Sequence, residues 1–182
     1  MAGKNSIWNR KKDLVYLVFF LTHIPVMLAF DLTSYYPVAV KPSWMTDVRT
    51  WYVATYGDRF FYNAPPWFST FTLLELLYHL PLSFWAIPAL IRNDPRIPLA
   101  LLVFALETSI TTVTCLAEML SWDELTPVQR GVQGLGGMYG AYLGSDNANC
   151  NKGIFMAVDC YARLDQILSK QKGIKPITKK NI

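Results

Sequence analysis

The sequence predicts an all-α, polytopic membrane protein, a four-helix bundle around an intramembrane ligand cavity. Three observations predict it: long apolar stretches, charge confined to the ends and loops, and ionisable residues isolated at membrane depth. The chain is 52% hydrophobic and 16% charged, and its long apolar segments are almost free of Lys and Arg. A soluble domain meets water on every helix and spreads charge to match. The formal charge of +4 is carried by the tails, so no nucleic-acid partner is expected.

Three segments meet the span requirement of roughly 17–25 mostly apolar residues. They run from Leu14 to Asp31, from Trp67 to Ile91 and from Ile97 to Ser121, with Lys11 and Lys12, Trp67, Arg92 and Arg96, and Trp122 as interface flanks. The first is not expected to be a cleaved signal. It is long for such a segment, contains His23 and Pro25, and no small-x-small site follows it. The fourth span reads two ways. Gly131 to Leu143 is apolar, Ser145 to Lys152 polar, and Ile154 to Ala162 apolar again. Either a helix breaks around Asn147, with its freed backbone covered by protein or water, or Gly144 to Gly153 is extruded from an ordinary helix. Gly134, Gly136, Gly137 and Gly140 read as a close helix-packing face. The domain organisation is then a basic N-terminus (1–13), a membrane domain (14–162) and a basic tail (163–182).

Four spans put both termini and the Arg92–Arg96 loop on one side. That side holds twelve of the seventeen basic residues, so the positive-inside rule makes it cytosolic. The chain ends Lys179-Lys180-Asn181-Ile182, in the form of a dilysine retrieval signal read by coat proteins, which implies the endoplasmic-reticulum membrane. A basic tail that binds anionic lipid headgroups is the plainer alternative.

No metal site and no cofactor are expected. Cys115, Cys150 and Cys160 lack ligand spacing, and no Gly-rich phosphate loop or nucleophile elbow is present. The informative residues are polar groups at membrane depth, where a carboxylate costs roughly 2.5–3.5 kcal/mol on insertion scales and so tends to face a cavity or partner. They are Asp31 and His23 in span one, Glu75 and His79 in span two, and Glu107 and Glu118 in span three. Glu75 and His79, four apart, share a helical face, while Glu107, Thr111, Thr114 and Glu118 form a polar stripe. Asp31 and Glu118 lie near helix ends and could instead meet interfacial water. His23 and His79, each two residues before a proline, could instead satisfy backbone groups that the proline frees.

These residues, in order, resemble the EXPERA-domain family, which has sigma-2-like and sterol-isomerase branches. The resemblance rests on His23-Ile24-Pro25, Asp31, Trp51-Tyr52, Pro65-Pro66-Trp67-Phe68, Glu75, Pro81-Leu82, Thr111-Thr112 and Tyr139-x-x-Tyr142-Leu143. It implies a four-helix membrane fold in the endoplasmic reticulum, a sterol-sized cavity open to lipid, and homodimers. It also implies that Asp31 and Glu75 are the ligand-contacting carboxylates of the sigma-2-like branch. The isomerase branch has a Glu in its first helix where Met27 stands, and Asn and Trp where Tyr139 and Tyr142 stand. The chain therefore looks closer to the sigma-2-like branch.

Two functions share the expected cavity. In the first, Asp31 and Glu75 bind a sterol- or terpenoid-like ligand by its hydroxyl or amine, with Tyr139, Tyr142, Trp85 and Thr111 lining the site, in sterol trafficking or homeostasis. In the second, Glu75, Asp31, Glu107 and His23 are catalytic. A carboxylic acid protonates an alkene or epoxide and a neighbouring group removes a proton elsewhere, as in a double-bond isomerase or a cyclase.

Overall fold

Residues 6–143 and 152–172 are described by a computed structural model, and all regular structure among them is helical. Three stretches are long and apolar enough to cross a membrane: Lys11–Tyr35, Phe68–Arg92 and Ile97–Leu120. Each matches an expected span to within a few residues. The chain divides into two units, Met1–Asp94 and Pro95–Ile182.

In the first unit, helix α1 (Lys11–Ala29) packs against α4 (Leu80–Arg92). Its inward residues, Tyr16, Phe20, His23, Ile24 and Met27, recur at three- and four-residue spacing, while Val15, Val18, Leu21 and Val26 face outward. An apolar outward face would be unfavourable in water and suits acyl chains. The two helices run antiparallel, because Arg10, just before α1, reaches the far end of α4. Its guanidinium donates to the carbonyls of Leu90 (2.6 Å) and Ile91 (3.2 Å) and to Asn93 Oδ1 (3.0 Å), and it pairs with Asp13. A cation there meets the carbonyls of the last helical turn and the negative end of the helix dipole. Asn93 closes the helix in the left-handed region (φ 57°), which Asn tolerates better than most side chains.

Between these helices the chain makes a 3₁₀ turn at Asp31–Tyr35, helix α2 (Ser43–Tyr56), a second 3₁₀ turn at Arg59–Phe61, and α3 (Phe68–Leu74). Helix α3 leads into a π-turn over Glu75–His79, where the Leu80 N–H donates to the Glu75 carbonyl five residues back. The cause lies two residues beyond the turn. Pro81 has no N–H, and its ring crowds the carbonyl four residues back, at Leu77. A wider turn relieves that crowding while the span continues into α4. Such π-bulges gather at functional sites.

In the second unit, α7 (Leu135–Leu143) and α8 (Lys152–Lys172) both pack on α5 (Ile97–Leu120). The buried side of α5 is Leu101, Phe104, Ala105, Thr108, Thr112, Cys115 and Met119, again at helical spacing. Short α6 (Pro127–Arg130) opens on a capping box: the Gln129 N–H donates to Thr126 Oγ1 (3.2 Å), and the Thr126 N–H donates to Gln129 Oε1 (3.1 Å). The Arg130 guanidinium then donates back to the carbonyl of buried Trp122.

One expectation changes here, for part of the glycine cluster. Gly134 and Gly137 serve a close approach of the chain to itself rather than of a separate helix. A Cβ on Gly134 or Gly137 would collide with the backbone of Gln129 or Val132, so these glycines permit a local fold-back into α7. Two helices cover the two halves of the expected fourth segment among the described residues. Helix α7 has nine residues, which rise about 14 Å against a hydrocarbon core of about 30 Å. Helix α8 is longer but carries Asp159, Arg163, Asp165 and Lys170, and it runs on past Ala162. The choice between a broken helix and an extruded insertion falls on Gly144 to Asn151, outside the described residues, as do Lys179 and Lys180.

Candidate functional site

The first unit gathers His23, Asp31, Glu75 and His79 on the facing sides and at one end of its two spans. Midway along, His23 stacks on Phe19 (centroids 5.0 Å) and lies 6.4 Å from the buried ring of His79. One turn before His79, half-buried Glu75 opens the π-turn, with its Oε2 shielded from solvent. Leu32 and Leu76, the residues next to Asp31 and Glu75, belong to one apolar cluster with Ile24, Met27, Leu28, Leu80 and Ile87. The residues that follow the two carboxylates in the chain therefore meet in one small core. Tyr35 joins the two spans again, through a hydrogen bond between its hydroxyl and Thr72 Oγ1 (3.0 Å).

Above that core, α2 supplies groups to which the sequence reading assigned no role. Arg49 donates to Thr33 Oγ1 (2.9 Å), Ser34 Oγ (3.1 Å) and the Phe61 carbonyl (3.1 Å), and its guanidinium lies 4.9 Å from the Phe61 ring centre. Tyr52 donates to Asp58 Oδ2 (2.9 Å), while Asp58 Oδ1 accepts the Phe60 N–H (3.1 Å) and caps the second 3₁₀ turn. Asp58 is fully buried. Burial lowers the pKa of Arg49, and the charges of Asp31 and Asp58 raise it again, so all three sit within electrostatic reach of one another. Burial pushes the Tyr52 hydroxyl well above the ordinary tyrosine value, helped by the charge of Asp58 and the hydrogen bond to it, and by Asp31.

A pH dependence follows. Folded Tyr52 keeps its proton where an unfolded tyrosine loses it. Its contribution to stability is therefore complete below about pH 10 and declines above that by about 1.4 kcal/mol per pH unit. Tyr52→Phe is expected to cost about 1–2 kcal/mol near neutral pH, through the lost bond to Asp58. The gap to the parent should then close as the pH passes about 10. Denaturation curves in which the gap stays constant would show that Tyr52 titrates like an exposed tyrosine.

The other expected residues fall as follows. Trp85 is half-buried on α4 of the first unit. Glu107 and Thr111 lie on α5 of the second unit, and Tyr139 and Tyr142 lie half-buried on α7, which packs against α5. One oxygen of Glu107 is shielded from solvent. The Thr111 hydroxyl donates to its own helix, at the Glu107 and Thr108 carbonyls (both 3.1 Å), so it offers a ligand only its lone pairs. Glu118 accepts from Trp122 Nε1 (3.4 Å), a contact that ties down the end of α5. Among the described residues, no cluster of His, Cys, Asp and Glu could hold a metal ion.

Arg49 and Asp58 were missed because charge in a loop between spans reads as solvated, and Tyr52 entered only through the Trp51-Tyr52 pair, with no role of its own. A local signal was available. Pro42 and Gly57 bracket α2, with Gly57 in the left-handed region (φ 69°), and Asp58 stands at a helix-cap position before Phe60 and Phe61.

Comparison with known proteins bears on this arrangement. The family model EBP: EXPERA (EXPanded EBP superfamily) matches residues 44–144, a stretch that includes Arg49, Tyr52, Asp58 and Glu75 but begins after His23 and Asp31. The chain is 26% identical over 116 residues to sigma intracellular receptor 2 of Xenopus tropicalis, covering 63% of this chain and 68% of that protein. It is 27% identical over 107 residues to the Homo sapiens protein of the same name, covering 58% and 61%. To efficient mitochondria targeting-associated protein 19 of Schizosaccharomyces pombe it is 25% identical over 111 residues, covering 60% and 61%. The chain thus spans between 61% and 68% of these relatives' lengths.

Proposed function

The chain belongs to the EXPERA family of multi-pass membrane proteins, and from that premise we propose that it binds a sterol- or terpenoid-like ligand through Asp31 and Glu75. One observation carries the reading: the neighbours of these two carboxylates, Leu32 and Leu76, pack into a single apolar cluster. In this reading the acids border a shared apolar surface. An ionised carboxylate there holds a cationic amine strongly, and a protonated one donates to a hydroxyl. Relatives named as receptors support binding as the primary role. The setting proposed is the endoplasmic-reticulum membrane with both termini cytosolic, and the role is sterol trafficking or homeostasis. A homodimer and coat proteins at the Lys179-Lys180 tail are the partners proposed with it.

The test uses the full chain purified from membranes. Mass spectrometry of the co-purifying lipid should find a sterol- or terpenoid-class molecule, and a lipophilic amine should displace it. An extract holding only bilayer phospholipid, together with no saturable amine binding, would sink the proposal.

A second reading rests on the histidine pair. With His23 and His79 at 6.4 Å, one turn from Glu75, the same site contains groups able to move a proton. A double-bond shift needs a proton delivered to one alkene carbon and another taken from an allylic carbon, with no net change in atoms. Glu75 and a neighbouring imidazole are suited to those two steps.

A further inference from the structure

Helix α2 has three faces. At about 100° per residue, half-buried Met45, Arg49, Tyr52, Val53 and Tyr56 fall on the side that turns into the first unit. Thr46, Asp47, Thr50 and Ala54 fall on a second, exposed side. The third side is Trp44, Val48, Trp51 and Thr55, at spacings of four, three and four. It is apolar and open, with Trp44 50%, Val48 43% and Trp51 60% exposed. Even Thr55 presents its methyl group there, because its hydroxyl donates to the Trp51 carbonyl (2.8 Å).

The chain's path fixes what can cover this face. Span one ends at Tyr35 and span two begins at Phe68, so both ends reach the same side of the membrane, with α2 between them. Arg49 bonds to Thr33 and Ser34 in the last turn of span one, which holds α2 at that boundary rather than out in solution. Tyr35 and Tyr62, both exposed, lie at the same end of the unit. Tryptophan and tyrosine concentrate where acyl chains meet headgroups, because their rings are apolar and their polar tips are wet. A helix with one apolar and one polar exposed side lies along that boundary.

We propose that α2 is an interfacial helix, with its Trp44, Val48 and Trp51 face seated at the headgroup–acyl boundary of the bilayer. The open apolar face is then continuous with the lipid-facing sides of the spans. Asp47 and Thr50 look to water. The function of the helix is to hold the Arg49, Tyr52 and Asp58 group at the membrane surface, over the end of the α1–α4 core. This inference stands independently of any ligand.

The test places the full-length protein in phosphatidylcholine nanodiscs and measures tryptophan quenching by two agents: lipid brominated on the upper acyl chain, and aqueous iodide. Trp44→Phe and Trp51→Phe, made separately, isolate each ring as the difference from the parent. Both rings are at least half exposed and Phe keeps an apolar ring, so each variant serves as an independent readout. The emission lost in each variant should be the part that brominated lipid quenches by at least about half and iodide leaves nearly unchanged. Emission quenched by iodide and indifferent to brominated lipid would place the face in water and overturn the proposal. Emission shielded from both agents, and released to iodide when excess empty nanodiscs separate the protein copies, would assign the face to a second copy and equally overturn it.

Discussion

Replacing Glu75 with Gln is expected to weaken the binding of a lipophilic amine more than tenfold, a loss above about 1.4 kcal/mol. The amide keeps the size and shape of the carboxylate and its place at the head of the π-turn, so the span should insert and pack as before. The charge that attracts a cation in a weakly polar setting is removed, and charge-assisted hydrogen bonds are roughly twice as strong as neutral ones. Equilibrium binding of a labelled amine to the reconstituted protein gives the loss directly, with thermal unfolding as the check on packing. Turnover, if the protein has any, should nearly vanish in the same variant, because an amide neither gives nor takes the proton. Normal amine binding by Glu75→Gln would reduce Glu75 to a structural contact between helices.

Asp58→Ala is expected to give the largest loss of stability, about 3 kcal/mol. Two bonds disappear together. The cap on the Phe60 N–H contributes about 1 kcal/mol, and the half-buried Tyr52 hydroxyl loses the acceptor it bonds, at a further cost of about 1–3 kcal/mol. Charge balance around Arg49 changes as well. For a chain of this size the midpoint of thermal unfolding should drop by about 6–12 °C. Asp58→Asn keeps an acceptor for only one of the two bonds, because its amide nitrogen donates and cannot accept, and its loss should fall between the parent and the Ala variant. Amide exchange should rise through α2 and the Arg59–Phe61 turn in the Ala variant, while α5 and α8 stay protected. A loss below about 0.5 kcal/mol, within the range of ordinary surface substitutions, would show that Asp58 does not organise this region.

The spans were legible because the bilayer imposes a rule that one dimension can express. A helix must stay apolar for about 20 residues to cross, and the stretches around His23, Trp85 and Glu107 obey it whatever their neighbours. The same rule singled out Asp31, Glu75 and Glu107 as residues out of place. Helix α2 escaped because it obeys a different rule. Its Trp stripe and its Arg49 face are periodic over only fourteen residues, too few to cross a bilayer and so without the hydropathy signal of a span. The glycine cluster was read as a packing face because small residues permit two different close approaches. Only the backbone path shows that Gly134 and Gly137 meet the chain just before them.

By itself the sequence determined the helical class, the three apolar spans and which ionisable residues interrupt them. Hydropathy and spacing are properties of single segments, so no partner is needed to read them. Only the tertiary structure decided that Leu32 and Leu76 share one core, that the rings of His23 and His79 approach each other across two spans, and that Arg49 ties α2 to the Asp31–Tyr35 turn that ends span one. It also decided that the helix bearing Glu75 widens into a π-turn before Pro81. These depend on side chains fifteen to fifty-six residues apart in the chain meeting in space, or on how a crowded carbonyl relaxes. Neither has a period that a sequence can display.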